Sequence, residues 1–106
     1  MPKMLIKATY SPDGAKGLMK EGGTARRAAV QKAIEGLGGK LEAFYYAYGD
    51  ADAYVIVDVP DAASGIALSL TVNSTSAVHV STIPLITPEE IDQAAKKKPK
   101  YRAPGA

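Results

Sequence analysis

Alternating apolar and polar positions divide the chain into short β-prone runs and helical stretches. Residues 3–10 place Met4, Ile6, Ala8 and Tyr10 on one side and Leu5, Lys7 and Thr9 on the other, a period of two that predicts a strand with one thoroughly apolar face. Ser11-Pro12-Asp13 follows as a helix start. The serine can accept from free backbone N–H groups, proline at the first helical position loses no hydrogen bond, and the acid faces the positive end of the dipole. Gly14, Gly17 and Gly22-Gly23 argue against one long helix, because each interior glycine costs about 1 kcal/mol relative to alanine. A short helical turn, a break and then a full helix are expected. That full helix spans residues 24–37, with Val30, Ile34 and Leu37 at helical spacing, Ala33 beside them and Gly38-Gly39 as the stop.

Residues 40–59, KLEAFYYAYGDADAYVIVDV, predict a β-hairpin. Phe44, Tyr45, Tyr46, Tyr48 and Tyr54 crowd around Gly49, Asp50 and Asp52, and the latter are turn formers. Asp61 then caps a second main helix whose expected buried face is Ala63, Ile66, Ala67 and Leu70. The last strand, residues 77–86, places Val78 and Val80 on one side but Ile83 and Leu85 on the other. This pattern requires either a bulge or burial of both faces. Ile86-Thr87-Pro88-Glu89-Glu90-Ile91 combines a capping box, a first-turn proline and an apolar staple, so a further helix begins there and ends before Pro99.

The resulting order is β-α-β-β-α-β with an extra C-terminal helix. It predicts an α+β, ferredoxin-like fold: a four-stranded antiparallel sheet in the order 4-1-3-2 with both main helices on one face. The uncovered face would still carry Leu5, Ile56 and Tyr45, which is more apolar area than a solvent face normally bears, so homodimerisation or a higher homo-oligomer through this open sheet is expected. Lys7 and Asp58 are expected to form an ion pair on it.

Composition narrows the function classes. A chain of 106 residues, 46% hydrophobic and 23% charged, builds one core and not two. The expected organisation is a single domain over residues 1–95 and a basic tail over residues 96–106 that is either disordered or laid across a partner with Tyr101 as anchor. The net charge is only +2, and Lys96, Lys97, Lys98 and Lys100 cluster in the tail, so no nucleic-acid or membrane partner is expected for the body. The absence of cysteine excludes disulfides and thiol catalysis, and one histidine excludes a multi-histidine metal centre within one chain. No cofactor or metal is expected. Neither a signal peptide nor a membrane span is legible, which makes a cytoplasmic protein the default.

The run PKMLIKATYSPDGAKGLMKEGGTARRAAVQKAIEGLGGKLEAFYYAYGDADAYVIVDVPD, with its KEGGTARR segment, its YGDADAYVIVD hairpin and the later TPEE turn, resembles the small bacterial GYD domain proteins. The resemblance covers nearly the whole chain. It implies a fold similar to dimeric α+β barrels, in which two such sheets associate, and it assigns no catalytic residue.

Chemistry-bearing residues converge at one end of this topology. The ends of the first two strands lie beside the starts of the other two, which gathers Tyr10, Tyr46, Tyr48, Asp52, Tyr54 and His79 near Arg26 and Arg27 in the first turn of the main helix. Arg26 falls on the apolar stripe. Either both guanidiniums run along the surface to water, or Arg26 leans inward to make an anion site with the free N–H groups after Gly22-Gly23. A pocket at that end would bind a small anionic or aromatic ligand, with Arg26 holding charge, the tyrosines stacking, and His79 or Asp52 moving a proton. The alternative is structural: turn aspartates, amphipathic tyrosines at the edge of the core and a surface histidine. Three functions are compatible with these residues: an oligomeric small-molecule-binding module; a cofactor-independent isomerase, decarboxylase or oxygenase acting on a small aromatic or carbonyl compound; and an interaction protein without a ligand.

Overall fold

The computed structural model describes residues 2–106. Its elements are β1 (Lys3–Tyr10), α1 (Pro12–Glu21), α2 (Gly23–Gly36), β2 (Lys40–Tyr46), β3 (Ala53–Asp58), α3 (Ala62–Asn73), β4 (Val78–Leu85) and α4 (Pro88–Lys97). The sheet is antiparallel in the order β2-β3-β1-β4, the predicted ferredoxin-like topology, with the C-terminal helix added. The helix-facing residues Met4, Ile6, Ala8, Ala53, Val55, Val57 and Val80 meet Ile34 of α2 in the core, and Val30, Leu68 and Val72 close it partway. Two-residue alternation in β1 and β3 sets these side chains on one face, and that face is where the helices lie.

The helix starts follow the predicted chemistry. Ser11 Oγ accepts from the N–H of Gly14, Asp61 from that of Ser64, and Thr87 and Glu90 form a complete capping box. The break before α2 sits at Gly22, whose φ of 91° lies in the left-handed region that glycine enters without strain.

Four expectations need correction. The first helix is ten residues long and not a turn, since Gly14 and Gly17 are carried inside it. Gly14 is required by packing, because a Cβ there would lie 2.0 Å from the carbonyl oxygen of Ala77. The buried side of α3 is Gly65, Leu68, Ser69 and Val72, while Ile66 and Leu70 point outward. Periodicity could not choose between them because α3 is apolar all round. β4 pairs with β1 without a register shift from Lys3↔Leu85 to Tyr10↔Val78, so Ile83 and Leu85 simply occupy the open face; the bulge lies in β2, between Leu41 and Ala43. Finally, Asp58 pairs with Lys3, at 2.9 Å, and Lys3 also reaches Glu42 at 2.8 Å. Lys7 stands opposite Tyr54 instead, with Nζ 6.0 Å from the ring centre.

The edge of β4 is blunted. Asn73, at the end of α3, donates to the carbonyl of Val80 and accepts from its N–H, at 3.1 and 2.7 Å. Both outward groups of Val80 are thereby occupied. Pro84 has the same parity on the strand and brings no N–H at all.

Candidate functional site

A cavity of about 150 Å³ lies between α2 and α3 above the sheet. Its floor is Ile6, Ala8, Ala53, Val55 and Val80, and the small Ala29 and Ala33 of α2 leave the space that larger side chains would fill. Arg26 brings the one charged side chain in its lining, and Tyr10 brings a phenol. These two residues also line a second, outer pocket of about 260 Å³ together with Asp13, Glu21 and Thr75. Arg26 and Tyr10 are thus shared by the apolar interior and an outer vestibule that carries the carboxylates of Asp13 and Glu21.

The local sequence explains how they are held. Tyr10 is the last residue of β1 and shares the helix-facing side with Ala8. Its backbone N–H donates to Asp52 Oδ2 at 2.8 Å, the N–H of Asp52 donates to the carbonyl of Ala8 at 2.8 Å, and the Asp52 carbonyl accepts from the N–H of Ala47 at 2.9 Å. Asp52 thus pins the end of β1 to the hairpin turn. Tyr46 stands edge-on to Phe44, with ring centres 5.1 Å apart, and its hydroxyl donates to the carbonyl of Gly23 at 3.1 Å. A Cβ on Gly23 would lie 3.0 Å from the Tyr46 ring, so the glycine at the start of α2 admits this tyrosine. Partial burial pushes the Tyr46 phenol above its ordinary value, the neighbouring Tyr10 adds to the rise, and the positive charge of Arg26 offsets part of it. No side chain caps the first turn of α2, which leaves its N–H groups and the positive end of its dipole beside Arg26.

Of the residues the sequence singled out, Tyr10, Arg26 and Tyr46 come together on the helix side, with Asp52 behind Tyr10 as a backbone anchor. Tyr48 is fully exposed in the turn. Tyr54 and His79 lie on the open face, opposite Lys7 and Thr9 respectively, so the sheet separates the imidazole from Arg26. Arg27 lies outside the cavity and faces β2. Sequence reasoning missed Ala29, Ala33, Phe44, Leu68 and Val72 as walls. The alanines one turn apart beside the Arg26–Val30 stripe were the legible signal. Among the described residues, no group of three or more carboxylate or imidazole side chains is placed to hold a metal ion, and no helix is long and apolar enough to cross a membrane.

Sheet order and one-sided helices define a ferredoxin-like α+β domain, with a cavity left between its helices. The chain belongs to the GYD domain family, whose model matches residues 4–95. Comparison with curated proteins and with solved structures returned no match.

Proposed function

We propose that this GYD domain is a homo-oligomeric small-molecule-binding module whose α2–α3 cavity takes a ring-sized monoanion. The supporting observation is Arg26: it is the one charged residue lining a mostly apolar cavity, beside Tyr10 and Ser69, and it makes no ion pair among the described residues. Arginine cannot neutralise itself by losing a proton, so a partly desolvated guanidinium gains from any anion that reaches it. The cavity limits the apolar body to about one benzene ring, since an apolar space of ~150 Å³ holds that much. Asp13 and Glu21 in the vestibule repel a second negative charge, which favours a monocarboxylate over a dicarboxylate or phosphate. Association runs through the open sheet face, where Leu5, Tyr54, Ile56, Ile83 and Leu85 lie with the Lys3–Asp58–Glu42 ions at one end. The blocked edge of β4 disfavours strand addition on that side of the sheet.

The test is titration of the labelled protein with benzoate, followed through backbone amide shifts. Shifts centred on Ala29, Val30 and Val72 are expected, with affinity reduced at least about tenfold in Arg26→Gln, the loss of one charge-assisted contact. Absence of saturable shifts at ~10 mM benzoate refutes the ligand reading. An unchanged sedimentation mass in Ile56→Lys refutes the sheet-face reading.

A further inference from the structure

Two helices of this chain carry apolar surfaces that their own domain leaves uncovered. α3, AASGIALSLTVN, contains no charged residue. Its inner side is used on the sheet, yet its outer side remains open, with Ile66 59% and Leu70 67% exposed and Ala63 and Ala67 beside them. A helix that is apolar all round is ordinarily covered all round. α4 presents the complementary case. It has a complete capping box, but every one of its ten residues is exposed, Ile91 is 55% and the preceding Ile86 62% exposed, and the molecule is drawn out to 56 Å along its longest axis against 33 and 23 Å across. A ten-residue helix standing alone is marginal in water, so α4 needs a surface to dock on.

We propose that α4 of one chain docks antiparallel on the outer face of α3 in a second copy, and that two copies exchange these helices reciprocally. Length matches, ten residues against twelve. The side-chain sizes match as well. With Ile91 beside Leu70, an antiparallel register sets Ala94 across from Ala67 and Ala95 across from Ile66, so that small residues at the centre let the helix axes approach. Charge selects the direction. The antiparallel arrangement carries Lys97, Lys98 and Lys100 toward Asp61, the capping carboxylate of α3, whereas a parallel one would set Glu89 and Glu90 against it. Area selects reciprocity. One helix on one helix falls short of the ~1,200 Å² at which stable interfaces begin, and a two-fold exchange doubles the contact. This interface uses the side of the domain opposite the open sheet and is independent of association there.

The native chain has no cysteine, so cross-linking provides a clean test. Full-length Ala67→Cys and Ala94→Cys chains, each keeping Ile66, Leu70 and Ile91, are mixed under mild oxidation. A heterodimeric disulfide is expected at least tenfold faster than between Ala94→Cys and a Lys16→Cys control on α1, and adding Leu70→Lys to the first chain is expected to abolish the difference. Equal rates for target and control overturn the proposal. So does rapid bridging confined to single chains in the Ala67→Cys/Ala94→Cys double variant, which would place α4 on its own α3. Retention of the fast reaction with Leu70→Lys overturns it too, provided far-UV circular dichroism shows the variant folded.

Discussion

Replacing Gly14 and Gly17 separately with alanine sets helix propensity against tertiary contact within one helix. Both glycines lie inside α1, where propensity alone favours alanine by about 1 kcal/mol at either position. At Gly17 a Cβ meets nothing within 4 Å, so the gain should be realised. At Gly14 it would lie 2.0 Å from the Ala77 carbonyl oxygen and 2.9 Å from the Ala77 carbonyl carbon, both backbone atoms that no rotamer change can move. α1 must therefore retreat by roughly 1 Å or more from the start of β4, an overpacking strain of the kind that costs about 1–3 kcal/mol. The retreat also stretches the Ser11 N–H bond to the Ala77 carbonyl, 2.9 Å, and the Ser11 hydroxyl bond to the same oxygen, 3.2 Å. Each is worth about 0.5–1.5 kcal/mol. After the propensity gain, Gly14→Ala should lose about 1–3 kcal/mol, while Gly17→Ala should gain about 0.5–1 kcal/mol. For a domain of this size, 1 kcal/mol moves Tm by about 4–8 °C, so thermal and urea melts will separate the two variants clearly. Equal stabilisation by both substitutions would refute the close approach of α1 to Ala77.

Two further outcomes are expected. Asp52→Ala should destabilise the domain by about 1–3 kcal/mol in urea melts because it leaves the half-buried Tyr10 N–H without its acceptor. Asp52→Asn, which keeps an acceptor oxygen, should lose clearly less, and equal losses would show that the hydrogen bond is not what matters. Tyr46 should make stability fall at alkaline pH. Its folded-state pKa is raised above the ordinary 10.0, so its contribution is fully present below that value and lost as pH rises through the raised one. Urea melts of the native chain and Tyr46→Phe from about pH 9 to about pH 11.5 isolate this loss, since the raised Lys3 ammonium is common to both. A pH-independent difference between the two chains would refute it.

Local signals carried most of the architecture. The strands of this GYD domain announce themselves by two-residue alternation, and the helix starts at Ser11, Asp61 and Thr87 by capping chemistry whose partners lie within three residues. Element order then restricted the sheet to a ferredoxin-like arrangement, because sequential strands and short connections leave few alternatives. The position of Arg26 on the same side of α2 as Val30 was also legible, as one turn of helix separates the two, although the pattern left open whether its guanidinium runs to water or leans inward.

Tertiary structure decided whatever depended on which neighbour arrives across the chain. Strand register gave Lys3, and not Lys7, to Asp58, and it set His79 on the face away from Arg26, because a shift of one residue exchanges every side chain between faces. The buried side of α3 was undetermined by its pattern, since a helix apolar all round offers two equivalent stripes until a sheet covers one. Gly14 weakens α1 by propensity, yet the Ala77 carbonyl requires it. The cavity belongs to the same category: Ala29 and Ala33 are ordinary helix formers in sequence, and only the spacing of α2 and α3 over Ala8 and Ala53 turns their missing volume into a space beside Arg26. Periodicity and capping act over a few residues and survive in the sequence, whereas packing volume and cross-strand pairing exist only once distant segments have met.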